Sequence, residues 1–161
     1  MTNKMTKWGC GPRFGLYSAF YCILMFGLTI YFEPLFTIAF IPYGFSRWLA
    51  IAPLILGIPF YLFSLVSVMR AFKAGKLVTK GVYGMCRHPV YSAWILFFIP
   101  GLALLLNSWA LLSASVVLYF LARFMVREED MYLEIMFGEE YLKYKSEVPA
   151  ILPYGWQTRH K

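Results

Sequence analysis

Two clusters of polar residues in this chain of 161 residues could do chemistry, and their charges are opposite. The first is Arg87-His88-Pro89, at the end of a loop with five basic residues and no acid. Pro89 suits the first turn of a helix, whose unsatisfied backbone N–H groups beside Arg87 predict a site for an anion. The second is Glu128-Glu129-Asp130, which begins a segment holding seven of the eight acidic residues and attracts cationic groups.

Each cluster also has a purely structural interpretation. Arg87 suits a membrane anchor, His88 a helix cap, and Tyr83 and Tyr91 a belt at the membrane interface. The acids are typical of a solvated helix face, and the two clusters could simply dock on each other. With Arg87 nearby, the two tyrosines could instead stack on a flat polar ligand and hydrogen-bond to it.

Composition identifies the elements that must position these clusters. The chain is 60% hydrophobic and 20% aromatic with only 14% charged residues, and its mean hydropathy is +0.61. These values lie outside the range of soluble domains. They predict a single all-α integral membrane domain over residues 1–161.

The spacing of charges predicts four transmembrane helices, because each needs about 20 largely apolar residues. Asn107-Ser108 is the expected tight turn in the longest uncharged stretch, and Glu33-Pro34 ends the first helix. The uncharged residues 34–46 are too few to cross again and are expected at the outer interface. The predicted spans are 14–32, 48–69, 89–106 and 109–126, with residues 127–161 forming a helical cytoplasmic tail that lies as a lid over the mouth of the bundle.

Basic residues predict the orientation. They concentrate before the first span and between the second and third, so both termini are expected in the cytoplasm. The net charge of +7 flanks the spans, which favours contact with anionic membrane lipids and argues against a nucleic-acid partner. The first apolar segment is of full spanning length without a small-residue cleavage pattern, so it is expected to remain as an anchor.

The cysteines predict no metal centre. Cys10, Cys22 and Cys86 form no CxxC pair and are odd in number, so neither a zinc site nor a disulfide framework is indicated. Lipidation of Cys10 or Cys86 stays open because both are expected close to the membrane.

Several motifs follow one another over roughly residues 77–155. They are Leu77-Val78-Thr79, Gly81-Val82-Tyr83, Arg87-His88-Pro89-x-Tyr91, Glu128-Glu129, Phe137-Gly138-Glu139-Glu140-Tyr141-Leu142-x-Tyr144-Lys145, Val148-Pro149 and Leu152-Pro153. In this order they resemble the isoprenylcysteine carboxyl methyltransferases, within a group of small membrane methyltransferases that includes the phospholipid N-methyltransferases.

The resemblance implies methyl transfer from S-adenosylmethionine to a lipophilic acceptor, either a prenylated cysteine or a phospholipid. It also implies a multi-pass protein of a bacterial or archaeal inner membrane or of the endoplasmic reticulum. Arg87 is expected to orient cofactor or acceptor, Glu128 to act as a base for an ammonium acceptor, and Arg123 to bind substrate. The implied cofactor contacts are Leu77, Val78, Tyr83, His88, Pro89, Val90, Tyr91 and Glu129.

Two positions depart from the family pattern. Relatives that methylate isoprenylcysteine carry an Arg four residues before the cofactor-binding acid, where this chain has Met125. Arg123 or Arg127 could substitute, although neither occupies the same point on the helix. A family His is replaced by Gly75.

Three alternatives remain open from the sequence. A phospholipid or thiol methyltransferase of the same fold would use the same cofactor. A sterol-type reductase shares a similar Arg-His-Pro hairpin but binds NADPH, and the short chain and the Glu128-Glu129 pair argue against it. A non-enzymatic membrane subunit would use the same charges to orient its helices.

Overall fold

The computed structural model describes residues 11–153, which are helical apart from turns and one isolated β-bridge. The helices in this part are α1 (Gly11–Tyr31), α2 (Tyr43–Ala74), α3 (Pro89–Leu105), α4 (Trp109–Phe137) and α5 (Glu139–Glu147). A short 3₁₀ turn, Gly81–Gly84, precedes α3.

Three of the described helices, α1, α2 and α4, are long and apolar enough to cross a membrane, judged by length and composition. The prediction of an all-α membrane protein is therefore confirmed. Helix α3 is apolar but shorter, so four spans remain a prediction.

Helices α2 and α4 extend beyond the predicted spans of 48–69 and 109–126. Charged residues mark the edge of an apolar stretch, but they do not stop a helix. Helix α2 ends where Gly75 adopts φ 61°, with its N–H bonded to carbonyls of the last turn. Helix α4 continues to Phe137 and is capped by Gly138, which adopts φ 51°. The acidic cluster therefore lies inside α4, near its carboxyl end.

Helix α3 changes its winding midway, with a π-helical turn at Trp94–Phe98. Pro100 explains this, because its missing N–H and its ring disturb the carbonyl one turn earlier. The N–H of Ile99 donates instead to the Trp94 carbonyl, and regular α-helix resumes to Leu105.

The connection between α1 and α2 and the connection between α3 and α4 lie together at one end of the bundle. The backbone N–H of Ile38 donates to the Asn107 carbonyl at 3.0 Å, and that of Trp109 to the Phe36 carbonyl at 3.1 Å. The start of α1, the start of α3 and the carboxyl end of α4 therefore lie at the opposite end, where Arg13 approaches Glu128.

The core lies between α1, α3 and α4, and α2 packs against α3. Large apolar side chains of α1 and α2 are exposed instead, among them Leu16, Phe20 and Phe63. Such faces are expected to contact lipid. Helix α5 folds back over the polar end and buries Tyr141 and Tyr144.

Candidate active site

The site is formed where three segments meet: the Arg87-His88 stretch, the end of α4, and α5 with the residues that follow it. The backbone N–H groups of Arg87 and His88 donate to the carbonyls of Pro149 and Ala150, each at 2.9 Å. The Ser92 hydroxyl donates to the Ile151 carbonyl at 2.6 Å. These bonds fix the tail against the start of α3.

Asp130 is the centre of the buried network. Its Oδ2 accepts from Arg87 Nη2 at 2.8 Å, and its Oδ1 accepts from His88 Nε2 at 2.9 Å and from the Tyr141 hydroxyl. One carboxylate of α4 thus connects the residues just before α3 with α5.

The predicted site set lacked Asp130, although a sequence signal for its burial exists. Buried residues recur every four positions along α4, and Asp130 continues that row beyond the apolar segment. The members of the row are Ala114, Leu118, Ala122, Val126 and Asp130.

Arg87 is buried and directs its hydrogen bonds to the protein. Besides Asp130, its Nη1 contacts the carbonyls of Lys145 at 2.8 Å and Val148 at 3.3 Å. Its Nε is buried without a hydrogen-bond partner among the described residues. Arg87 therefore holds the end of α5 as well as the acid, and its predicted role toward cofactor or acceptor stays a prediction.

Glu129 has a different environment from its neighbour Asp130. Its Oε2 accepts a hydrogen bond from the Tyr91 hydroxyl at 3.0 Å and lies 3.7 Å from His88 Nδ1, while 21% of its side chain is exposed. Within residues 11–153, no Lys or Arg forms an ion pair with it. Its negative charge is therefore available to a ligand.

Tyrosine hydroxyls link the residues around the site to neighbouring backbone carbonyls. The Tyr144 hydroxyl donates to the Tyr83 carbonyl at 2.6 Å, and the Tyr83 hydroxyl contacts the Ser64 carbonyl at 3.4 Å. Burial raises the pKa of Tyr83 and of Tyr141 well above the usual range, and the hydrogen bond to Asp130 raises that of Tyr141 further. Both hydroxyls therefore remain donors at neutral pH.

The other predicted cofactor contacts lie around this network. Pro89 is buried in the first turn of α3, and Val90 follows it half-buried. Leu77 packs against Tyr141 and Tyr144 of α5, and the next residue, Val78, is half-buried. Their roles as cofactor contacts remain predictions.

Glu128 and Arg123 lie outside the network. The Glu128 side chain is 61% exposed, with Arg13 3.9 Å away. Arg123 and Arg127 line a shallow cavity on the outer face of α4. Met125 is buried and precedes Glu129 by four residues, so these two share a face of α4 that neither arginine shares. The roles predicted for Glu128 and Arg123 stay predictions.

Comparisons with known proteins place the chain in a family. The sequence model of the isoprenylcysteine carboxyl methyltransferase family matches residues 47–135, which is more than half of the chain. No solved structure matches the chain.

Curated relatives match over about half of the chain. Protein-S-isoprenylcysteine O-methyltransferase of Mus musculus is 40% identical over 78 residues, or 48% of this chain and 28% of the relative. Form B of Arabidopsis thaliana is 33% identical over 79 residues, covering 49% and 40%. The Schizosaccharomyces pombe protein is 32% identical over 91 residues, covering 56% and 39%.

The aligned region spans well under half the length of these relatives. The region that the family model matches, residues 47–135, nevertheless contains both polar clusters. The family match confirms the prediction made from the motifs: the chain belongs to the isoprenylcysteine carboxyl methyltransferase family.

Proposed function

We propose that this protein transfers a methyl group from S-adenosylmethionine to the carboxylate of a prenylated cysteine at the cytoplasmic face of a membrane. The names of the relatives support the reaction and the acceptor class. The long apolar helices support a membrane location for a lipophilic acceptor.

The observation that carries the proposal is that the adjacent acids Glu129 and Asp130 have different environments. Arg87 pairs with Asp130 at 2.8 Å, and both side chains are buried, so this pair is electrically neutral and closed. Glu129, one residue away, keeps its charge and partial exposure. A carboxylate of this kind, beside His88 and Tyr91, fits the cationic and hydroxyl-bearing parts of S-adenosylmethionine.

When bound, S-adenosylmethionine supplies a methyl group activated by a positively charged sulfur. The protein's task is to hold the reacting groups in line and to exclude water. Glu129 and Tyr91 bind, α5 covers the site, and Arg87 holds α5 in place through two carbonyls. A carboxylate acceptor loses no proton in the transfer, so this reaction requires no general base.

The acceptor is proposed to enter from the lipid. Helices α1 and α2 expose large apolar side chains along their length, and Phe14 of α1 packs edge-to-face on Tyr91 at 4.8 Å between ring centroids. A prenyl chain lying along α1 would therefore reach the site beside Tyr91.

A labelled methyl-transfer assay tests the proposal. Purified protein in lipid nanodiscs is given isotope-labelled S-adenosylmethionine and, separately, a prenylated cysteine, a phosphatidylethanolamine and a small thiol. Label should appear as a base-labile methyl ester on the prenylated cysteine. Glu129→Gln should weaken cofactor binding at least about tenfold, since it removes one charge-assisted interaction. Glu134→Gln, the same exchange on the same helix, should not.

Other outcomes contradict specific parts of the proposal. Label on the phospholipid amine would show that the acceptor is a phospholipid and not a prenylated cysteine. Loss of that label in Glu128→Gln would identify Glu128 as the general base. Thermal stabilisation by NADPH and not by S-adenosylmethionine or S-adenosylhomocysteine would support a reductase. Stabilisation by none of the three would support a non-enzymatic subunit.

A further inference from the structure

We infer that Asp130 is a positioning residue that fixes the tautomer of His88, so that His88 Nδ1 and the Glu129 carboxylate together form a twin acceptor for a donor-rich group of the ligand. The inference deepens the proposed function and rests on it for the identity of that ligand. It concerns a residue that neither the motifs nor the predicted site set included.

The tautomer follows from the partners of Asp130. The Arg87 guanidinium pairs with Oδ2 at 2.8 Å and keeps the carboxyl group ionised, so Oδ1, which accepts from the Tyr141 hydroxyl, has no proton to give. The 2.9 Å contact with His88 Nε2 must therefore have its proton on the histidine. In the neutral ring, Nδ1 is then left with a lone pair.

The lone pair of Nδ1 faces a second acceptor. Glu129 Oε2 lies 3.7 Å away, beyond hydrogen-bonding distance, and its other contact is the Tyr91 hydroxyl. The Tyr91 hydroxyl donates to Glu129, and no hydrogen bond among residues 11–153 joins these two acceptors to each other. The chemistry that satisfies both is a group with several N–H or O–H donors, such as an α-ammonium or a ribose diol.

Asp130 is the residue on which this arrangement depends. If its Oδ1 became a donor, His88 would be driven to carry its proton on Nδ1, which would then face Glu129 as a donor, and the pair of acceptors would be lost. Asparagine at this position does so, because Arg87 still requires an oxygen and the amide NH₂ must then face His88. In Ser-His-Asp triads the same exchange preserves geometry and yields the wrong tautomer.

Nitrogen NMR tests the inference directly, without enzyme activity. The chain has two histidines, His88 and His160, so a His160→Gln protein labelled with ¹⁵N-histidine reports on one ring. At pH 8 the correlations between ring nitrogens and ring protons should identify Nε2 as protonated and Nδ1 as bare. Asp130→Asn should exchange the two nitrogens, while Glu134→Gln, an acid-to-amide change away from His88, should leave them unchanged.

Ligand binding provides the second measurement. S-adenosylmethionine should shift the bare Nδ1 signal of the His160→Gln protein, and Asp130→Asn should weaken its binding by about tenfold or more. 5′-Methylthioadenosine retains the ribose hydroxyls and lacks the ammonium. An equal loss of affinity for it assigns the twin acceptor to the ribose, and no loss assigns it to the ammonium.

Several results would overturn the inference. A proton on Nδ1, or on both nitrogens, in the protein with Asp130 intact excludes the assigned tautomer, and this measurement stands even if Asp130→Asn fails to fold. An exchanged tautomer with unchanged affinity excludes the twin acceptor. If the tautomer is as assigned and S-adenosylmethionine does not bind at all, the proposed function fails while the structural role of Asp130 remains.

Discussion

At the residue scale, adjacent acids of one sequence cluster have separate roles. Glu128 is exposed, Glu129 is partly exposed at the site, and Asp130 is buried. The helical rotation of about 100° per residue causes this separation, because three consecutive side chains point in three directions. The sequence predicted an acidic cluster, but only its position against α3 and α5 distinguishes the members.

Replacing Arg87 tests whether it acts on the protein or on the ligand. Arg87→Ala leaves Asp130 buried without its cation, which should lower the free energy of unfolding by about 3–5 kcal/mol. Equilibrium unfolding in detergent measures this, with Arg13→Ala as the control, since the Arg13 side chain is 68% exposed and its 3.9 Å contact is solvated. Unchanged stability with lost methyl transfer would instead support a direct role toward cofactor or acceptor.

The Cys86 thiol should be unreactive in the folded protein. Burial raises its pKa to about 11, so at pH 8 the thiolate fraction should be about a hundredfold below that of a thiol with the ordinary pKa. Its alkylation rate should rise steadily from pH 8 to pH 10, because each unit yields more thiolate. Mass spectrometry of iodoacetamide-treated protein, folded and in denaturant, measures this, and fast modification of folded protein at pH 8 would contradict it.

At the element scale, α2 and α3 approach closely through glycine. A Cβ added to Gly57 would lie 2.6 Å from the Phe97 Cβ, and one added to Gly101 would lie 2.7 Å from the Leu54 Cγ. The first contact is the more restrictive, because a Cβ cannot move without its backbone. The π-helical turn that contains Phe97 is therefore held directly against α2.

Gly57→Ala should destabilise the helix pair. Forcing a methyl group into a 2.6 Å contact with another Cβ should cost near the upper end of the usual range of about 1–3 kcal/mol, more than the gain in helix propensity of about 1 kcal/mol. Thermal unfolding in detergent measures the change. Gly27→Ala is the matched control, since its added Cβ meets nothing within 4 Å and only the propensity gain remains. Equal stabilisation by both substitutions would show that α2 and α3 are not in close contact.

At the scale of the whole molecule, the helices alternate in direction and so gather opposite charges at one end. The connections at residues 32–42 and 106–108 lie together, while both polar clusters lie at the other end. The predicted arrangement of four spans with cytoplasmic termini is compatible with this alternation. The orientation of the helices in the membrane stays a prediction.

Cysteine labelling tests that topology. Phe40 is 85% exposed in the connection between α1 and α2, and Glu140 is exposed on α5. In intact cells, a membrane-impermeant maleimide should label Phe40→Cys and not Glu140→Cys, and in inverted vesicles the pattern should reverse. Labelling of both positions from the same side would contradict the four-span arrangement.

The sequence by itself determined the class of molecule and the family to which it belongs. Its low charge and high apolar content required helices in lipid, because a backbone in hydrocarbon must satisfy its own hydrogen bonds. Motif order identified the family, and the charge clusters marked the two junctions. These properties depend on local composition and spacing, which a single chain displays directly.

Tertiary structure alone decided which charges are paired. Arg87 and Asp130 are 43 residues apart, and nothing local to either reveals that they form a closed pair while Glu129 stays available. The hydrogen bonds from Arg87 to the carbonyls of Lys145 and Val148 are likewise not visible in the local sequence. Such pairing depends on how helices rotate and pack against one another, and burial then makes an unpaired charge too costly to tolerate.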